Sequence, residues 1–175
     1  MARGYEYFCQ EKGASAVALD GGAAMREHGA MLTPLALLLA LIAAPAAAQG
    51  PSLPVHGNWC GPFHGAGPIL DALDEACMRH DFCTMQAGRL DCGCDLAFMD
   101  ELRTRPWPNP ALGEKARAVY EAIALTPCHD PQGRRAKLNM AASDWAQAVA
   151  RGQEPPWAVL DRLGALMAEG LARAR

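Results

Sequence analysis

The chain has 175 residues, enough for one domain with a sizeable core, and 51% of them are apolar. It carries 16 Lys and Arg against 19 Asp and Glu, a formal charge of −3. With no long run of one sign, that balance argues against nucleic-acid binding and against strong electrostatic attraction to an anionic membrane, so any lipid contact relies on apolar surface.

Part of the apolar content belongs to residues 32–48 (LTPLALLLALIAAPAAA), a short apolar core followed by small residues. Ala46, Ala47 and Ala48 before Gln49 fit the small-x-small cleavage rule of an export signal, and the uninterrupted stretch is too short to span a bilayer comfortably. About thirty residues precede that core, where a signal needs only a short basic region. The simplest expectation is a start at Met25, with Arg26 supplying the charge, or at Met31, so that residues 1–24 stand outside the fold. The expected organisation is 1–30 as a misassigned start plus leading region, 31–48 as signal core and cleavage region, and 49–175 as one exported domain, secreted or periplasmic. Of seven cysteines, Cys9 falls in the discarded segment. The other six, Cys60, Cys77, Cys83, Cys92, Cys94 and Cys128, are an even set suited to disulfides in an oxidising compartment. Spacing alone leaves their pairing open.

A Gly/Pro-rich loop runs from Asn58 to Pro68, a residue suited to the first turn of a helix. From there Ile69, Leu70, Leu73, Ala76, Cys77 and His80 follow helical spacing to about Gln86, with Gly88 marking the end. A second helix starts near Asp91, carries Cys94, Phe98 and Leu102 on one flank, and stops at Pro106, Pro108 and Pro110. A third is expected over 113–125, then a Cys-His-Asp-Pro loop. A fourth covers 134–150 with Leu138, Ala141, Trp145 and Val149 as its apolar row. Pro155 and Pro156 open a fifth, in which Val159, Leu160, Leu163, Leu166 and Met167 form a stripe assigned mainly to the core. The expected fold is all-α and disulfide-stabilised, with little or no sheet. Two antiparallel core helices carry a His-Asp site beside a Gly/Pro-rich calcium loop.

Neighbours three or four apart share a helix flank, so Cys77 lies beside His80 and Asp81, and Cys83 beside His80. Were Cys60 to pair with Cys77, the loop carrying Trp59, Gly61 and Phe63 would be drawn to the flank of Asp81. Backbone carbonyls plus one carboxylate and water suit calcium, at a modest affinity of roughly 10⁻⁴ to 10⁻³ M. Were Cys83 to pair with Cys94, Asp95 would approach His80, fix its tautomer and leave the other nitrogen as a base. Water is then the natural nucleophile, and the chemistry is ester hydrolysis. A zinc site from Cys77, His80, Cys83, Cys92 and Cys94 requires reduced thiolates, which export disfavours. His56, His64 and His129 are assigned no catalytic role.

The loop WCGPFHGAGP, the helix DALDEACMRHDFC and the later CGCD resemble secreted phospholipase A2, especially its small prokaryotic and fungal members, over residues 59–98. The resemblance implies His80 as general base, Asp95 as its partner, Asp81 as calcium carboxylate, and Trp59, Gly61 and Phe63 as carbonyl ligands. Gly65 replaces Phe63 if the loop gap is placed differently. It further implies calcium-dependent hydrolysis of the sn-2 ester of glycerophospholipids to fatty acid and lysophospholipid, by a monomer at a membrane or micelle surface, with no nucleic-acid partner. A noncatalytic relative that binds lipid or protein is the alternative. Ala76 and Glu101 stand where larger members carry a disulfide, and Cys92 is left to pair with Cys128. Thr84 stands where a tyrosine often holds the His-Asp pair, a position that Tyr120 is expected to fill from the third helix.

Overall fold

The computed structural model describes residues 52–174. The expectations for residues 1–48, a displaced start and an export signal, lie outside the described residues. Among the described residues the chain is all-helical, with five helices and no strand; the one β contact is an isolated bridge between His56 and Cys60. None of these helices is long and apolar enough to cross a membrane.

Capping side chains set the helix starts. Helix α1 spans Ala72–Ala87, because the Asp71 carboxylate accepts the Leu73 and Asp74 N–H groups. It therefore begins beyond Pro68, and Ile69 and Leu70, expected on its inner face, are exposed loop residues. Helix α2 spans Cys92–Thr104, capped by Asp91, and ends at Arg105, whose extended backbone is what the following Pro106 requires. Helix α3 spans Pro110–Leu125 with Asn109 as cap, so Pro110 opens this helix instead of closing the one before. Helix α4, Pro131–Ala150, starts at Pro131 under an Asp130 cap. Helix α5 spans Ala158–Arg173 with no side-chain cap.

Three disulfides join Cys60 to Cys77, Cys83 to Cys94 and Cys92 to Cys128. The last closes the longest loop, 36 residues in sequence separation, worth about 4 kcal/mol in the chain-entropy model. Helices α1 and α2 run antiparallel. Cys83 meets Cys94, His80 meets Asp95, and Glu75 meets Arg105, so contacts descend one helix as they climb the other. Glu101 joins Arg79 and Arg105 in an ion-pair network across this interface, while Ala76 is fully buried. Helix α3 packs against α2, α4 and α5, which places Tyr120 and Ala116 in the centre of the core.

Two inner faces differ from expectation. On α4 the fully buried side chain is Lys137, whereas Leu138 is 47% exposed, so the helix is turned by one residue from the apolar row. On α5 the buried row is Ala158, Leu166 and Gly170, with Arg162 on the same line pairing to buried Glu121. Leu160 and Met167 are exposed. Both helices turn charged side chains inward because buried carboxylates on neighbouring helices need partners, a demand that outweighs the apolar period.

Candidate active site

His80, on α1, and Asp95, in the first turn of α2, are brought together by the Cys83–Cys94 bond. His80 Nε2–H donates to Asp95 Oδ1 at 2.8 Å, with side-chain exposures of 14% and 5%. Because a carboxylate oxygen can only accept, the ring proton sits on Nε2 and Nδ1 keeps its lone pair. The imidazole also stacks on Phe98, centroid to centroid 4.6 Å, which restricts ring rotation.

Burial works to raise the Asp95 carboxyl, but hydrogen bonds from His80 and Lys137, together with their charges, hold it below the usual carboxylate range. Lys137 Nζ donates to Asp95 Oδ2 and also to the Thr126 carbonyl at 2.7 Å. No spacing rule would find this residue, which lies 42 positions beyond Asp95. Tyr120 does not take the expected place: its hydroxyl donates to Asp144 at 2.7 Å. Burial, with that bond, holds the phenol protonated well above its usual range. The Thr84 hydroxyl donates to the Asp81 carbonyl within α1.

The loop that precedes α1 is organised by Asp74, whose carboxylate is fully buried. It accepts the N–H groups of Asn58 at 2.9 Å, Trp59 at 2.7 Å and Leu70 at 2.9 Å. The Trp59 indole N–H donates to the Gly67 carbonyl, and the Asn58 amide to the Pro68 carbonyl, closing the loop on itself. Gly61 sits at φ +142°, and a Cβ there would lie 2.0 Å from the Leu53 carbonyl oxygen, so only glycine fits. Asp71, besides capping α1, holds His56 Nε2 at 2.8 Å. The two carboxylates spaced three apart thus act as cap and loop gatherer. Their signal in the sequence was a pair of Asp residues where a Gly-rich loop meets a helix.

Asp81 lies one residue beyond His80 and is half-buried. Burial raises its carboxyl to about 6, opposed only by the neighbouring His80 charge, and among the described residues no donor bonds to it. Gly65 packs directly against it: a Cβ on Gly65 would lie 2.7 Å from Asp81 Oδ2 and 3.3 Å from the Trp59 ring. Among the described residues the Trp59 and Phe63 carbonyls accept no hydrogen bond, while the Gly61 carbonyl accepts His64 N–H at 3.2 Å. Phe63 is at φ 56° and 55% exposed, with the Arg89 guanidinium 4.9 Å above its ring. No three His, Cys, Asp or Glu side chains cluster to bind a metal among the described residues, so a cation here depends on carbonyl oxygens. Gly65→Ala is expected to displace the Asp81 carboxylate and to weaken the calcium binding proposed below at least about tenfold, with a change in stability below about 1 kcal/mol because Gly65 is exposed. Paired calcium titration and thermal melting check this.

The same loop and helix expose Phe63, Ile69, Leu70, Phe82 and Met85. Two surface cavities, of about 440 and 730 Å³, are lined by neither His80 nor Asp81. No family model, curated protein or solved structure matches the chain.

Proposed function

We propose that this protein is a calcium-dependent phospholipase A2-type hydrolase, exported to an oxidising compartment, secreted or periplasmic. The observation that carries the reading is the His80–Asp95 pair, which leaves Nδ1 to act as a base, next to a half-buried Asp81 that among the described residues has no donor. His80 Nδ1 takes a proton from water while the water oxygen adds to the ester carbonyl carbon. As the tetrahedral intermediate collapses, the imidazolium returns that proton to the leaving lysophospholipid oxygen, and fatty acid is released. Asp95 stabilises the imidazolium and keeps the ring in place throughout.

The residues present fit calcium: among the described residues the Asp81 carboxylate has no donor, the Trp59 and Phe63 carbonyls accept no hydrogen bond, and Gly65 lies against the carboxylate, while the Gly61 carbonyl also accepts the His64 N–H. Asp81 would hold it with the carbonyls of Trp59, Gly61 and either Phe63 or Gly65. Bound calcium supplies the Lewis acid that polarises an ester carbonyl. The exposed Ile69, Leu70, Phe82 and Met85 give the loop and α1 an apolar surface suited to a phospholipid membrane or micelle. They equally suit a noncatalytic lipid-binding module, and one assay separates the two. Phospholipid vesicles at millimolar calcium and pH 7.5 are expected to release fatty acid, and excess chelator to stop the release. Vesicle binding without release supports the noncatalytic reading.

Proton competition gives a further expectation. Since burial raises the Asp81 carboxyl to about 6, the carboxylate is ionised at pH 7.5 and increasingly protonated below pH 6. Calcium affinity, followed by tryptophan fluorescence, is expected to weaken about tenfold between pH 7.5 and 5. An affinity unchanged across this range would remove Asp81 from the ligand set.

A further inference from the structure

We infer that Lys137 is a positioning residue for the His80–Asp95 pair, its ammonium holding one carboxylate oxygen of Asp95 so that the other stays aimed at the imidazole. The role rests on the hydrolase reading above. Lysines on helices ordinarily run their stems along the surface and leave the ammonium in water. Lys137 is 0% exposed. Its helix neighbours Met140 and Ala141 pack against the core, so an apolar residue at this position would continue their row. A cation stands there instead.

The reason lies in how Asp95 divides its two oxygens. Oδ1 accepts from His80 Nε2 and Oδ2 accepts from Lys137 Nζ. One donor alone would leave the carboxylate free to swing about its own bond; two donors on opposite oxygens fix its plane and therefore the ring it holds. Lys137 is itself held, because the Thr126 carbonyl at the C-terminal end of α3 accepts a second of its protons. His80 on α1, Asp95 on α2, Lys137 on α4 and the end of α3 thus form one continuous chain of polar contacts. A lysine that merely pinned α4 would need no connection to the imidazole.

Two measurements on the full chain separate these roles. The first is the proton NMR resonance of the His80 Nε2–H, far downfield because that proton is held by a carboxylate. Lys137→Met is expected to broaden or shift it, while calcium affinity read from tryptophan fluorescence stays within about twofold. The second is a double-mutant cycle on fatty-acid release. Lys137→Met alone is expected to lower kcat about 10- to 100-fold with little change in KM, yet less than about twofold when added to Asp95→Asn. Equal losses in both backgrounds, or an unmoved resonance, overturn the proposal and make Lys137 a structural pin. If the Met variant does not fold, Lys137→Gln takes its place, and full kcat with an unmoved resonance in that variant overturns the proposal equally. A wild type that releases no fatty acid, but whose resonance responds to Lys137→Met, would sink the hydrolase reading and leave the positioning link standing.

Discussion

On the proposed mechanism His80→Gln is expected to lower calcium-dependent fatty-acid release by at least about 10³-fold, because it removes the base assigned to activate water. Glutamine is chosen because its amide N–H₂ can still donate toward Asp95 Oδ1, so the buried carboxylate keeps two donors and the fold is spared. What disappears is the lone pair that Nδ1 presents. Asp81 remains on the same helix turn, and the loop around Trp59 is anchored by Asp74, so calcium affinity should stay within about twofold. The decisive comparison is initial rates for the two proteins at saturating calcium, beside a fluorescence titration of each. Residual turnover within tenfold of wild type would place the base elsewhere.

Asp74→Ala is expected to destabilise the protein by about 3 to 5 kcal/mol, through three backbone donors stranded at once. Asn58 and Trp59 share one carboxylate oxygen and Leu70 takes the other. Loss of this acceptor removes the post around which the loop is wound, although the Cys60–Cys77 bond still tethers its middle. Calcium affinity should fall in parallel, since Trp59 carries one of the proposed carbonyl ligands. Asp74→Asn makes an instructive control: the amide keeps one accepting oxygen but turns its NH₂ against another donor, so an intermediate loss is expected. Urea denaturation with the disulfides intact measures both, and a loss below 1 kcal/mol for the alanine variant would show that the loop holds itself.

Much of this arrangement could be read before any coordinates. Cys83 and Cys94 each stand within a helical turn of a chemically active partner, so one cross-link is enough to bring His80 to Asp95. The middle stretches of the helices followed from apolar spacing, though the inward faces of α4 and α5 did not, and α2 stopped ahead of its proline. Starts were less legible, since at Asp71, Asn109 and Asp130 a capping side chain decided where the helix began. The least legible features were charges turned inward. Lys137 and Arg162 occupy positions that periodicity would give to apolar residues, and each does so for a buried carboxylate on another helix. Such matches depend on how helices rotate against one another, which local spacing does not encode. Asp74 was visible as half of an Asp pair, yet its task emerged only when Asn58, Trp59 and Leu70 were seen to converge on it.

Among the described residues every disulfide closes between positions 60 and 128, so α4 and α5 carry no cross-link and pack on the rest through noncovalent contacts. Warming should therefore fray the carboxyl-terminal third while the knotted front half stays shut. Since Lys137 rides on α4, that fraying would release Asp95 and the imidazole it holds well ahead of global melting, so that the proposed activity is expected to fall on heating and to return on cooling.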